Sequence, residues 1–115
     1  MRRFAFLLAM ILVLSMPLEV FAASKSTAIY PVLTFSGATA TCVTTVAGNN
    51  STSYLEVTMK LMYLTTIVAS WTGSGYGYVS MTKTAAVTKG RTYKLVVEVK
   101  ENGVAQNPVY VTGNS

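Results

Sequence analysis

From Leu55 to Tyr63 the chain alternates apolar and polar positions with a period of two. Leu55, Val57, Met59, Leu61 and Tyr63 fall on one face, and Glu56, Thr58, Lys60 and Met62 on the other. That period predicts a strand with one buried face. The stretch from Tyr93 to Lys100 repeats it, with Tyr93, Leu95, Val97 and Val99 inward. Thr39 to Val46 alternates more weakly and places Ala38, Ala40 and Cys42 on a shared face. Ile67, Ala69 and Trp71 predict a short strand whose Trp71 fills the core, and Tyr76 to Thr82 another, with Val79 and Met81 inward. Ile29 to Phe35 is β-favouring but contains Pro31, which lacks a ladder donor, so an edge strand or extended arm is expected there. Residues 23–28 show no periodicity and are expected to be a loose lead-in.

Turn signals separate these runs. Ser36-Gly37, Ala47-Gly48-Asn49-Asn50 and Gly73-Ser74-Gly75 each predict a reversal. Asn102-Gly103 predicts a tight hairpin between the long strand before it and a last strand over Ala105–Thr112, in which Pro108 marks an edge or a bulge. With no helical periodicity and no βαβ spacing, the expectation is an all-β, antiparallel two-sheet sandwich of about six to seven strands. An immunoglobulin-like order is favoured by Lys89-Gly90-Arg91-Thr92-Tyr93, where a turn glycine precedes a strand that opens on a tyrosine able to bond back to nearby backbone. The Cys…Trp…Cys spacing of true immunoglobulin domains is absent, so the likeness is one of architecture.

The first 22 residues read differently. Arg2 and Arg3 precede the apolar run Phe4–Met16, followed by Pro17, Glu19 and the small-residue site Val20-Phe21-Ala22. This is the layout of a secretory signal peptide cut after Ala22. The apolar run is shorter than the roughly 20 residues of a bilayer span, and no second span follows. Residues 23–115 are therefore expected to be a single secreted β-sandwich domain, extracellular and at most loosely associated with the cell surface.

Composition narrows the chemistry. The chain has 115 residues, 51% hydrophobic and 11% charged, with no histidine or aspartate and a single cysteine. After Ala22 there remain seven lysines and arginines against Glu56, Glu98 and Glu101, so the domain is mildly basic. No histidine-based relay, zinc site or calcium loop can be assembled from such side chains. Glu56 and Glu98 lie outward on strands that would be neighbours if paired, but they alternate with threonines and lysines as on a solvated face. No enzyme activity, cofactor or metal is expected, and so few cations on an exported chain argue against nucleic acid as a partner. One cysteine closes no internal disulfide; Cys42 reads as a small buried hydrophobe, with an intermolecular bridge as the alternative.

Taken together, Ser36-Gly37 leading into Ala40-Thr41-Cys42, then Met59-Lys60-Leu61, Trp71 before Gly73-Ser74-Gly75, and Val87-Thr88-Lys89-Gly90-x-x-Tyr93 span most of residues 36–100. In these the sequence resembles an uncharacterised family of small, signal-bearing secreted proteins from Gram-positive, gut-associated bacteria. The resemblance implies a secreted all-β domain of unknown activity and carries no catalytic residues. The apolar run Leu61-Met62-Tyr63-Leu64 departs from the more polar turn usual there.

Two stretches carry candidate binding chemistry. Trp71, Tyr76 and Tyr78 in a glycine-rich segment are candidates for a flat platform against a sugar or peptide. Lys89 and Arg91 sit in a basic turn suited to an anionic surface. The leading expectation is a non-catalytic interaction module acting through protein contacts, with Met62 and Leu64 as an exposed apolar feature suited to docking or weak homo-oligomer formation. The alternative is binding of a glycan or an anionic cell-wall polymer through Trp71, Tyr76, Tyr78, Lys89 and Arg91.

Overall fold

A computed structural model describes residues 27–115; the expected leader over residues 1–22 lies outside the described residues. Eight strands follow one another: β1 (Ala28–Ser36), β2 (Thr39–Ala47), β3 (Tyr54–Tyr63), β4 (Thr66–Tyr76), β5 (Tyr78–Ala86), β6 (Thr92–Glu101), β7 (Val104–Ala105) and β8 (Val109–Asn114). They form two antiparallel sheets. The smaller has the order β1-β2-β5 and the larger β4-β3-β6-β7, with β8 also pairing β6. The two-sheet sandwich expected from alternation is present. The count rises to eight because the last strand is interrupted around Pro108, leaving β7 and β8 on the same edge of β6. The immunoglobulin-like sandwich is present in the sheets β1-β2-β5 and β4-β3-β6-β7, with β4 on the sheet of β3, where the constant-type arrangement places the fourth strand with the first, second and fifth.

The core is the meeting of two inner faces. Ala40, Cys42, Val46, Val79 and Met81 come from the smaller sheet, and Leu55, Val57, Met59, Leu61, Tyr93, Leu95, Val97 and Val99 from the larger. Burying each large aliphatic side chain here is worth about 1.5–3 kcal/mol. The tyrosine corner also forms: the Tyr93 hydroxyl accepts the Thr88 N–H at 2.9 Å, tying the β5–β6 loop to the start of β6. Cys42 is buried, and burial pushes its thiol up to about 11, so it stays a neutral hydrophobe near pH 7.

Three expectations are corrected. Gly73-Ser74-Gly75 is not a turn but part of β4. Its glycines point inward, where a Cβ at Gly73 would stand 3.1 Å from the Met81 sulfur and one at Gly75 3.2 Å from the Tyr78 carbonyl oxygen. Small residues let the other sheet approach there. The reversal occurs at Gly77, with φ +77°. Second, the register slips between Leu61 and Met62, so that Leu61 pairs Ala69 while Met62 pairs Ile67. Val68 is the extra residue of a bulge, which moves Ile67 off the inward row of Ala69 and Trp71. Trp71 packs against the core yet remains partly exposed, since β4 is a sheet edge. Third, the two lead-in residues that the structure describes are held in the fold, residues 23–26 lying outside the described residues: β1 begins at Ala28, and the Thr27 hydroxyl donates to Glu101 Oε1.

Glu101 ends the inward row of β6 and is buried. Burial alone raises its pKa, but hydrogen bonds from Ser53, Thr27 and the Asn49 N–H outweigh that and lower it below the ordinary 4.5. The Asn49 N–H reaches Oε2 at 2.8 Å. One carboxylate thus joins the entry to β1, the β2–β3 loop and the end of β6. Thr44 is the opposite case, a fully buried hydroxyl in the core with no hydrogen-bond partner.

Two stability tests follow from these groups. Thr44→Val removes the unpaired hydroxyl at nearly constant volume and should stabilise by about 1 kcal/mol, read as a higher midpoint in thermal or urea unfolding. Glu101→Gln should cost about 1–3 kcal/mol at pH 7. Because the folded pKa of Glu101 is lowered, its contribution is complete above the ordinary value and is lost as pH falls through the folded one. Acidification below about pH 4.5 should therefore narrow the gap between wild type and Glu101→Gln in thermal melts.

Candidate functional site

The sequence-predicted candidates do not converge. Trp71 and Tyr76 lie five residues apart on one strand and so face opposite sides, Trp71 toward the core and Tyr76 outward on the larger sheet. Gly77 then carries the chain into the smaller sheet, and Tyr78 emerges on that sheet's outer face opposite Ala47. Tyr76 is 69% exposed and Tyr78 58%, on different surfaces of the sandwich. Lys89 and Arg91 are at the far end, in the β5–β6 loop. There the Arg91 guanidinium lies 4.4 Å from the centre of the Tyr63 ring, at the end of β3 opposite to Tyr54. A single platform built from all five side chains is ruled out by this placement.

A concave surface does form on the outer face of the larger sheet. The register lines up Ser74, Glu56 and Lys100 in one cross-strand row and Thr72, Thr58 and Glu98 in the next. Outward alternation on β3, β4 and β6 is what brings hydroxyls, carboxylates and an ammonium to this floor. A third row holds Tyr54 and Tyr76, whose rings meet at 5.1 Å with planes tilted by 52°. The opposite wall comes from the break between β7 and β8. There the Gln106 N–H donates to the Val99 carbonyl at 2.8 Å, and residues 106–108 stand beside the sheet. The result is a groove of about 680 Å³. That lies within the range of small-ligand sites, although this one is open along its length.

Its electrostatics are mixed. Lys60 Nζ lies 3.2 Å from Glu98 Oε2, a half-exposed pair worth little in stability. Glu56 faces Lys100 across the strands. Opposite charges therefore alternate along the groove, and its many hydrogen-bonding groups are presented without a single dominant sign. A polyhydroxylated ligand can both donate to the carboxylates and accept from the hydroxyls and ammonium, with an aromatic pair at one end for an apolar ring face. Among the described residues no group of three or more metal-ligating side chains is brought together.

Of the five candidates, Tyr76 alone comes near this groove, through its ring contact with Tyr54, which lines it. Tyr54, Thr58, Thr72, Ser74 and Gln106 were not singled out by sequence reasoning. The first four carried a usable signal, since alternation fixes their outward direction once β3 and β4 are paired. Gln106 carried none, because its position depends on how the chain breaks off the sheet before Pro108.

Neither a family model nor any curated protein matches the chain. Solved structures that are similar include a β-glucuronidase from glycoside hydrolase family 2, matched with a TM-score of 0.49 and 11% identity over 78% of this chain. The match covers 11% of that enzyme's chain.

Proposed function

We propose that the chain is a non-catalytic, exported interaction module that holds a neutral, polyhydroxylated ligand, such as an oligosaccharide, in the groove across β4, β3 and β6. The observation that supports this reading is the combination on one surface of the Tyr54–Tyr76 pair, the paired rows of hydroxyls and carboxylates, and the Gln106 wall. A neutral ligand fits better than an anionic polymer, because the alternating charges of the groove floor offer a polyanion no net attraction. Non-catalytic action fits the ion-paired Glu98 and an open strand face that does not shield a reacting bond from water. Export through a leader over residues 1–22, and kinship with small secreted proteins of Gram-positive bacteria, belong to the same proposal.

A second reading, contact with a partner protein, is favoured by the outer face of the smaller sheet. Its cross-strand rows are Ala28-Ala47-Tyr78, Tyr30-Thr45-Ser80, Val32-Val43-Thr82, Thr34-Thr41-Thr84 and Ser36-Thr39-Ala86, without a charged residue at any position. Protein interfaces are depleted of charge at their centres and enriched in tyrosine.

Titration calorimetry against a panel of neutral oligosaccharides tests the groove. Saturable binding is expected, insensitive to salt and weakened roughly tenfold by Tyr76→Ala or Glu56→Gln, with unchanged unfolding midpoints. If no oligosaccharide binds, and protein capture from an extracellular fraction is lost on Val32→Lys, the module acts through the smaller sheet instead.

A further inference from the structure

The end of the sandwich opposite Glu101 combines two features that the groove does not use. The first is an apolar tip on the β3–β4 hairpin. Leu64 is 77% exposed, Ile67 51% and Val68 39%, with Met62 beside Ile67 in the register. The second is a set of three cations. Lys94 sits directly across from Met62 on β6, its ammonium 4.7 Å from the centre of the Tyr110 ring, and Arg91 lies over the ring of Tyr63, the residue before Leu64. Lys89 is exposed in the same β5–β6 loop, which is held by the Gly90 N–H bond to the Ser115 carbonyl at 3.1 Å and the Ser115 N–H bond to the Arg91 carbonyl at 2.9 Å. Among the described residues, Lys89, Arg91 and Lys94 form no salt bridge with a glutamate. The nearest glutamate along β6 is Glu98, about 13 Å from Lys94 by strand rise and already paired with Lys60.

Leu64 adds a third observation. Its backbone lies in the left-handed region, at φ +56°. That conformation suits glycine or asparagine in a two-residue hairpin and is costly for leucine. A leucine here is neither the best residue for the turn nor a contributor to the core. The side chain thus occupies a position where folding alone favours its removal, a pattern met where strain serves a surface function.

We propose that this end docks on an anionic lipid surface, with Leu64, Ile67 and Val68 entering the interfacial region while Lys89, Arg91 and Lys94 lie at the headgroups. The cations are complementary to lipid phosphate, and the apolar tip needs an apolar phase that a soluble polyanion does not offer. This is attachment by a loop, not a span; no helix among the described residues is long and apolar enough to cross a membrane. Docking leaves the Tyr54 end of the groove, with Tyr76 and Gln106, pointing away from the bilayer. It stands independently of what the groove binds.

Vesicle co-sedimentation tests it, using the processed chain recovered from the medium of an exporting host. Vesicles of phosphatidylglycerol mixed with phosphatidylcholine should pellet the chain, and pure phosphatidylcholine vesicles should not. Lys94→Gln and Arg91→Gln should each weaken binding about fivefold at low salt. Leu64→Gly is the decisive variant: relief of the backbone strain should raise its unfolding midpoint, yet vesicle binding should fall at least fivefold. A gain in stability with undiminished binding overturns the proposal by assigning attraction to charge alone, as would equal binding to soluble polyphosphate. Absence of pelleting at any salt also overturns it.

Discussion

One residue decides which surfaces this molecule has. At Gly77 the chain leaves the larger sheet and enters the smaller one within a single step, because β4 ends at Tyr76 and β5 begins at Tyr78. The backbone there has φ +77°, and a Cβ would stand 2.9 Å from the backbone of Ser51. The same residue is clamped from both sides, its N–H donating to the Ser53 carbonyl at 2.7 Å and its carbonyl accepting from Gly48 N–H at 2.9 Å. Any side chain would have to displace the β2–β3 loop as well as adopt a strained conformation. The consequence for the surface is direct: two tyrosines separated by one residue are delivered to opposite outer faces, one beside the groove and the other on the uncharged sheet.

The two outer faces that result are chemically unlike. Every outward position of β1, β2 and β5 is uncharged, whereas Glu56, Lys60, Lys94, Glu98 and Lys100 all lie on the outer face of the larger sheet. The distribution along the long axis is equally uneven, with Glu101 buried at one end and Lys89, Arg91 and Lys94 exposed at the other. In a chain with 11% charged residues, such segregation leaves each surface with its own character. The single charge at an inward position outside this scheme is Lys83, which belongs to the row of Leu33 and Cys42 but lies on edge strand β5, where its ammonium reaches solvent. An inward-pointing lysine on an edge also discourages pairing with another chain, as Pro31 does on β1 and the Val68 bulge at the start of β4.

The strands were legible in the sequence wherever alternation ran unbroken. Leu55–Tyr63 and Tyr93–Lys100 became β3 and β6 with the expected inward rows, and the tyrosine corner formed from the residues that suggested it. What misled was local meaning assigned without tertiary context. Gly73 and Gly75 have the composition of a turn, yet their purpose is close approach to Met81 and Tyr78, partners that cannot be known before the sheets are stacked. The bulge at Val68 is likewise invisible to a period-of-two count, and it reversed the face of Ile67. Glu101 was readable in principle, since it continues the parity of Tyr93 to Val99; what periodicity alone could not supply was the set of donors from Thr27, Ser53 and Asn49 that makes an inward carboxylate acceptable.

Glu101 and Leu64 mark the two ends of the molecule, and each breaks a simple rule for a different reason. A buried carboxylate is destabilising unless it is satisfied, and Glu101 is satisfied by groups from two separate segments, the entry to β1 and the β2–β3 loop, so its burial fastens the chain where the first strand enters the fold. Leu64 breaks the rule for surfaces: an exposed leucine in a left-handed turn has no compensating contact within the domain. Both departures carry a free-energy cost, but only the first is repaid by bonds inside the protein. Local rules are expected to fail at functional sites, and where the compensation is internal the departure explains the fold. Where it is missing, as at Leu64, the proposed lipid surface would supply it from outside the chain. That asymmetry separates the end that holds the sandwich together from the end proposed to dock on lipid.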